Sequence, residues 1–525
     1  MPLFPAFLRS KTTRDFSSVP YRRLQLNLFL ATSLFMFGCS HAPSNDKHPS
    51  QAMSADTNSR LAKVAQPYVD SHPELTGFYP LADGQEAFMA RLALIHSADN
   101  SIDLQYYIYR DDATSSLLTY ALYKAAERGV RVRVLLDDMQ SRDDAVMASL
   151  SSHPNIEVRL FNPFRQRVSR ALGFIGDFDR LNRRMHNKAL IVDGTFGIAG
   201  GRNIGDEYFS ANGEVDFGDF DLLMLGNIIP QLSLEFDTYW NSKPASPIED
   251  LVDNYAPVSQ AQQDKWEAML QEAIETQSPY VAQLSELPLA KKIQDKSLSF
   301  YWGEAELHYD PPEKIYQSTN SDLLLHELDA ILSQTQSELF LVSPYFVPTR
   351  KGTNALTRAA NKGITLTIIT NSLASNDVFA VHGWYAKYRK SLLEANIRLY
   401  EVKADRLHKR ERSWLGSSRN SLHAKTFIID KQDVFVGSFN FDPRSAYLNT
   451  EMGVLVQSPA FADDVYQGIE QHMPQFTYRL ELNESGDIVW FDDATGKQYS
   501  TEPDASMWLR IAAWFSGILP IENLL

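Results

Sequence analysis

The sequence is poor in cysteine: Cys39 is the only one in 525 residues. An intramolecular disulfide is therefore excluded, and the fold must be held by its own packed interior. A long apolar run is also missing. The best candidate, Leu24 to Gly38, is about fifteen residues broken by Gln25 and Asn27, whereas a membrane-crossing helix needs roughly 20. Excess positive charge is absent as well, since 50 Lys and Arg face 65 Asp and Glu for a formal net charge of -15. That balance opposes general affinity for nucleic acid or anionic membranes, so local basic patches must do any such work. The histidines have no companion Cys, His or carboxylate cluster at ligand spacing, so neither a metal nor another cofactor is expected.

What is present is a chain long enough for two ordinary domains, with 44% hydrophobic residues and scattered charge. It contains one stretch twice. His186 to Asn203 reads HNKALIVDGTFGIAGGRN, and His423 to Asn440 reads HAKTFIIDKQDVFVGSFN. In both, Lys follows His by two residues and Asp follows Lys by five; after six intervening residues come Gly, a small residue, any residue and Asn. The surroundings repeat too. Ala125-Ala-Glu-Arg-Gly129 before a β-branched strand is echoed by Ala359-Ala-Asn-Lys-Gly363, and Asn155 to Leu160 by Asn396 to Tyr400. The two cassettes lie 237 residues apart, from 186 to 423. A duplicated domain with a pseudo-twofold axis follows.

Hydrophobic periodicity predicts a helix over Gly84 to Ser97 and a strand over Ser101 to Tyr109. It then predicts a helix over Thr114 to Arg128, a strand over Val130 to Leu136, a helix near Asp143 to Ser151, and strands at Ile156 to Phe161 and Ala189 to Val192. Such alternation specifies an α/β fold, a mixed sheet between helices. The boundaries drawn are 73–245 for the first repeat, 246–330 for an intervening segment, 331–480 for the second repeat and 481–525 for a C-terminal tail.

Ahead of the repeats, Arg9 to Arg23 and the apolar run to Cys39 have a secretory layout over residues 1–39. Phe37-Gly-Cys39 followed by polar residues resembles a bacterial lipoprotein box, which predicts lipidation of Cys39 and a periplasmic, membrane-anchored protein. An uncleaved signal anchor is the alternative. Residues 40–72 are polar and aperiodic and read as a flexible tether. In the tail, Ala505 to Leu519 reads as a short helix capped by Asp504, with Met507, Trp508, Ile511, Trp514, Phe515 and Ile518 on one side. That stripe is expected to pack against the body, with a membrane-interface patch as the second reading.

On a strand, H-x-K alternation points His and Lys to one face, so a nucleophile and a cation address the same phosphate. Imidazole attacks phosphorus without strong activation, and a covalent phosphohistidine divides one displacement into two. A second histidine can protonate the leaving alcohol and later deprotonate the acceptor. His186 and His423 supply both roles, Lys188 and Lys425 neutralise phosphoryl oxygens, and Asn203 and Asn440 donate to the same atoms. Each imidazole needs an acid on its other nitrogen. The second half offers Glu451, and aligning the halves superposes Asp219 on it, with Asp221 as a rival two residues away. Asp193 and Asp430 complete the motif, but both end strands where Asp commonly forms turns.

The paired motifs are those of the phospholipase D superfamily, which this chain resembles from about residue 75 to 520. With the export signal, Gln105-Tyr-Tyr-Ile-Tyr109 and the Leu519-Pro-Ile-Glu-Asn-Leu-Leu525 ending, it looks most like bacterial cardiolipin synthases of the type C class. The resemblance implies that His186 becomes phosphatidylated and His423 acts as acid and base. It further implies that a phosphatidyl group passes to phosphatidylglycerol, giving cardiolipin. The first cassette departs from the second in having Gly201 where Ser438 stands, which removes one hydroxyl. Two loops, Pro163 to Arg184 and Lys403 to Arg419, each carry six basic residues against two acidic ones. Arg183, Arg184 and Arg419 are therefore candidates for binding anionic headgroups. The partners implied are membrane phospholipids and not nucleic acid; no accessory protein is specified. Hydrolysis by water at the same site is the first rival reading, and a non-catalytic lipid-binding lipoprotein the second.

Overall fold

The structure, a computed structural model, describes residues 47–140, 143–167, 170–174, 176–211, 217–253, 255–275, 297–316, 323–404 and 421–525, with 292 and 295. Cys39, Arg419 and the basic residues between 405 and 420 lie outside them, as does the secretory segment 1–39.

The predicted elements form close to where the pattern puts them. The Gly84–Ser97 helix begins where the Asp83 side chain accepts from the Glu86 amide, giving an otherwise unpaired N-terminal N–H its partner. Strands Ser101–Tyr106, Arg131–Asp137 and Ile156–Phe161 pair in parallel, and Ala189–Val192 joins the first of them antiparallel. The second repeat reproduces this with Glu338–Val342, Thr365–Asn371 and Arg398–Val402 in parallel and Thr426–Ile429 antiparallel. These strands are buried along nearly their whole length, as their continuous apolar sequences require.

Both halves belong to one 18-stranded sheet. Its seam is a pair of strands, Thr76–Leu81 and Tyr301–Tyr309, antiparallel to one another with Gly77 opposite Trp302. Each also pairs with the last strand of one cassette, Asp221–Gly226 and Met452–Gln457 respectively. The strand order outward from the seam is the same on both sides, which is the pseudo-twofold relation the repeat predicts. Gly77 is needed at this crossing, because a Cβ there would lie 2.9 Å from the Trp302 ring. The seam strand Tyr301–Tyr309 falls in the segment read from sequence as merely intervening. A core spanning both halves, including Phe78, Met224, Phe236, Val436 and Val454, lies beneath this region.

Two expectations are corrected. Residues 47–72 are not a flexible tether. Ser50 and Ala52 bond to Asn241 and Asp237, Trp240 donates to the Ser50 hydroxyl at 2.9 Å, and Arg60–Ser71 is a helix capped by Ser59. The polar residues pair with the polar rim of the body instead of forming a periodic pattern of their own. The C-terminal helix spans Met507–Ile518 and is capped by Ser506, not Asp504, whose φ of 57° places it before the helix. Its apolar stripe does not pack on the body: Met507, Trp508, Ile511, Trp514, Phe515 and Ile518 are all exposed.

Candidate active site

Each histidine is held by the opposite repeat. The His186 amide donates to the Thr450 carbonyl at 2.8 Å, and its Nδ1 lies 2.8 Å from Glu451 Oε2. In the mirror arrangement the His423 amide donates to the Gly218 carbonyl at 2.6 Å, and its Nδ1 lies 2.5 Å from Asp219 Oδ2. Both acids bind the other half's imidazole. Asp221, the rival, instead pairs with Arg91 at 2.8 Å and Arg202 at 3.3 Å. The imidazoles are buried and within electrostatic reach of one another. With Nδ1 engaged, Nε2 is the nitrogen left for chemistry.

The acids are themselves fixed. Glu451 accepts from the Ser438 hydroxyl at 2.5 Å and the Ser445 hydroxyl at 2.8 Å, while its own amide donates to Asp310 at 3.0 Å. Asp219, one methylene shorter, lies closer to its own backbone. A Cβ at Gly201 would come 2.1 Å from Asp219 Oδ1. Gly201 is thus more than a missing hydroxyl: the first cassette uses a short acid over glycine where the second uses a long acid over serine.

Lys188 and Lys425 are buried, and each ammonium donates to the carbonyl of the histidine in its own motif. Burial pushes the Lys188 ammonium down to about 7 and the Lys425 ammonium to about 8, against the pull of Glu451 and Asp219. Burial, aided by the two lysines, also lowers His186 well below the ordinary histidine range. His423 is lowered by burial and Lys425 although Asp219 opposes this. Glu451 is raised by burial. Asp219, also desolvated, is nevertheless held low by His423 and Lys425 and remains ionised. An uncharged imidazole at His186 has its lone pair available for attack.

Asn203 Oδ1 accepts from the Ile108 amide at 3.1 Å, while its buried Nδ2 makes no hydrogen bond of good geometry to the described residues. The Asn440 amide oxygen is likewise buried and unbonded. Sequence reasoning missed the aromatic walls. Tyr107 meets His186 edge-on with centroids 4.9 Å apart, and Tyr208 meets His423 at 5.3 Å. The repeat gave no signal for them, since Pro344 stands in the second half where Tyr107 stands in the first.

Several sequence-predicted residues are placed elsewhere. Asp193 and Asp430 sit in the hairpin turns at the far ends of the cassette strands, both with φ of 52°. Asp193 accepts the amides of Asp99, Asn100 and Ser101, and Asp430 those of Gln336, Ser337 and Glu338. They tie each hairpin to the start of the neighbouring strand, with no carboxylate oxygen left for phosphate chemistry. Arg184 is fully buried, 3.1 Å from Asp137, and donates to the Phe161 and Asn162 carbonyls. It is a packing residue rather than a headgroup ligand. Arg183 is half-exposed, donating to the Tyr447 carbonyl at 3.0 Å beside a surface hollow formed by Gly176 to Arg180, Ile315 and Tyr316. Arg167 and Arg170 are neutralised by Asp138 and Asp144, acids from outside the loop. The cationic surplus read from this loop is therefore largely cancelled. Among the described residues no group of three or more His, Cys, Asp or Glu is arranged to hold a metal ion.

Two H-x-K segments, each leading directly into a buried strand and each completed by an acid from the other repeat, define a phospholipase D-type enzyme. The family described as cardiolipin synthase, PLD-like domain, matches residues 92–240 and 328–473, and the chain belongs to it. Cardiolipin synthase C of Escherichia coli strain K12 is 41% identical over 476 residues, covering 89% of this chain and all of that one. An uncharacterised protein of Helicobacter pylori strain 26695 is 33% identical over 450 residues, covering 85% of this chain and 88% of its own. The crystal structure of phosphatidylserine synthase from Haemophilus influenzae Rd KW20 superposes with a TM-score of 0.56 at 12% identity, over 88% of this chain and all of that one.

Proposed function

We propose that the protein is a phosphatidyltransferase that makes cardiolipin from phosphatidylglycerol and a second phospholipid through a phosphohistidine intermediate. The observation that carries this reading is the crossed pair His186–Glu451 and His423–Asp219. His186 Nε2 attacks phosphorus, the bond from phosphorus to the headgroup oxygen breaks, and His423 gives that oxygen its proton. The glycerol hydroxyl of phosphatidylglycerol then yields its proton to His423 and attacks the phosphohistidine. The P–N bond breaks, and cardiolipin leaves with the neutral imidazole regenerated. A phosphodiester between the histidines adds a negative charge that favours the protonated form of His423, counteracting the burial that lowers it. The two lysines and the asparagine amides bear the charge on the remaining phosphoryl oxygens.

The 41% identity to a cardiolipin synthase over the whole length of that relative supports phospholipid synthesis. No helix among the described residues is long and apolar enough to cross a membrane. The lipoprotein-box-like Phe37-Gly-Cys39 supports attachment on the periplasmic side through a lipidated Cys39 as the proposed localisation, and the mass of the mature N-terminus tests it.

Purified protein incubated with phosphatidylglycerol vesicles is expected to release cardiolipin and glycerol. Phosphatidic acid without cardiolipin would mean that water is the acceptor. His186→Ala is expected to abolish turnover with the fold intact, and full retained activity would refute the intermediate.

A further inference from the structure

The C-terminal helix is built to be held on one side and exposed on the other. Its inner face is small: Ala513, Ser516 and Gly517 are buried against the Phe379–Glu394 helix. The approach is so close that a Cβ on Gly383 would lie 2.1 Å from the Ala513 carbonyl, and Trp384 Nε1 donates to the Ser516 carbonyl at 3.1 Å. The outer face carries Trp508, 74% exposed, Trp514, 67%, and Met507, 64%, with Ile518, Phe515 and Ile511 between 46% and 58%. Burying such side chains is favourable, so six of them left in water on one short helix form an apolar patch that calls for an occupant.

We infer that this helix docks the catalytic body onto a phospholipid surface, lying in its interface with Trp508 and Trp514 at headgroup level. The inference rests on the phosphatidyltransferase reading for its need: an enzyme whose two substrates both reside in a bilayer must bring its site to that surface. Three observations select lipid as the occupant. A helix of 12 residues is about 18 Å long, too short to cross and suited to lying flat. Its only charged residue is Arg510, with Lys387 stacked 3.4 Å over the adjoining Trp384 ring, while the nearby carboxylates are engaged, Glu502 by Arg389 and His382 and Glu522 by the Tyr388 hydroxyl. An acid-free apolar stripe with flanking cations matches an anionic lipid surface, in a chain whose net charge of -15 otherwise opposes it.

The chain just beyond the helix is anchored at the rim of the site. The Arg444 amide donates to the carbonyl of Leu525 at 2.6 Å, its guanidinium bridges Leu524 and Asn182, and the next residue, Ser445, holds Glu451. On the other side, the helix bearing Gly383 follows Asp377, which accepts from the Tyr345 hydroxyl and acts electrostatically on Lys425. Exposed Phe379 and Val378 extend the apolar surface there.

Full-length protein is mixed with vesicles of brominated phosphatidylglycerol and phosphatidylethanolamine, and tryptophan quenching is read. Strong quenching is expected in the parent and in His186→Ala, and it should largely disappear in Trp508→Phe/Trp514→Phe. Trp508→Glu/Trp514→Glu is expected to lose roughly ten-fold or more of its activity on vesicles while staying within about two-fold on monomeric short-chain phosphatidylglycerol. Equal quenching with and without the two tryptophans would overturn the inference. So would a dimer abolished by the Glu substitutions while activity on vesicles is retained, because the occupant would then be a second copy. Quenching without cardiolipin formation on any substrate form would leave the docking intact and refute the transfer reading instead.

Discussion

Glu451 holds His186 from across the repeat seam twice over, through its own carboxylate at 2.8 Å and through the carbonyl of the preceding Thr450, which accepts the histidine amide at 2.8 Å. Gly218 and Asp219 do the same for His423. Each histidine takes its acid from the opposite repeat, so the paired site exists only when both halves are joined.

Replacing Glu451 with Gln keeps the shape but removes the charge that fixes the His186 tautomer. Turnover is expected to fall by roughly 10²–10⁴, and Asp219→Asn is expected to act comparably through His423. The two residues serve one reaction, so the double variant should lose far less than the product of the single losses. Steady-state kcat on phosphatidylglycerol checks this, and independent losses would argue against a shared site.

Gly201→Ser, which makes the first cassette match the second, is expected to damage the enzyme. The added Cβ would collide with Asp219 Oδ1 and displace the acid from His423. Pairing it with Asp219→Glu restores the arrangement seen around Ser438, so partial rescue in the double variant, read as kcat, is the discriminating result.

The pH dependence follows from the buried bases. His186 lies well below the ordinary histidine range, so its neutral form persists below pH 6.5 and the acid limb of kcat/KM is expected there. In the substrate complex, where the phosphodiester favours protonated His423, the basic limb of kcat is expected between about pH 7 and 8, where Lys188 and Lys425 lose their protons. Lys188→Arg should move that limb to higher pH. Stability runs the opposite way: with Lys188 near 7 in the folded protein and about 10.4 unfolded, the unfolded chain binds more protons between those values, so stability rises with pH across them. Lys188→Met should thus be stabilised relative to the parent at pH 6, and the gain should shrink by pH 9, as thermal unfolding can show.

Asp193→Ala is expected to lower stability without altering the chemistry of the folded enzyme. Three amides leading into the Ser101–Tyr106 strand lose their acceptor, a loss of about 1–3 kcal/mol for a buried group. Thermal unfolding should register it while kcat per folded molecule changes little. A collapse of kcat in the fully folded variant would return Asp193 to the catalytic group.

Much of this was legible in the chain. The duplication, the alternating helices and strands, the two histidines and the pairing of Asp219 with Glu451 all follow from local periodicity and fixed spacing, which a sequence displays directly. Residues 47–58 were not legible, because their partners are scattered polar atoms on the body rather than a repeating pattern. Arg184 was misread for a related reason: composition counts its charge, but only the fold brings Asp137 to within 3.1 Å of it.

The sequence by itself determined that two matched cassettes exist and which side chains they contain, since the same His, Lys, Asp and Asn spacing occurs twice. Only the tertiary structure decided that the acids are exchanged between repeats. That exchange depends on the antiparallel seam between Thr76–Leu81 and Tyr301–Tyr309, a long-range pairing that no local spacing encodes. The apolar stripe of the last helix was likewise visible as a period, but periodicity identifies a face without saying what meets it. The small residues Ala513, Ser516 and Gly517 took the contact with the body and left the tryptophans outside.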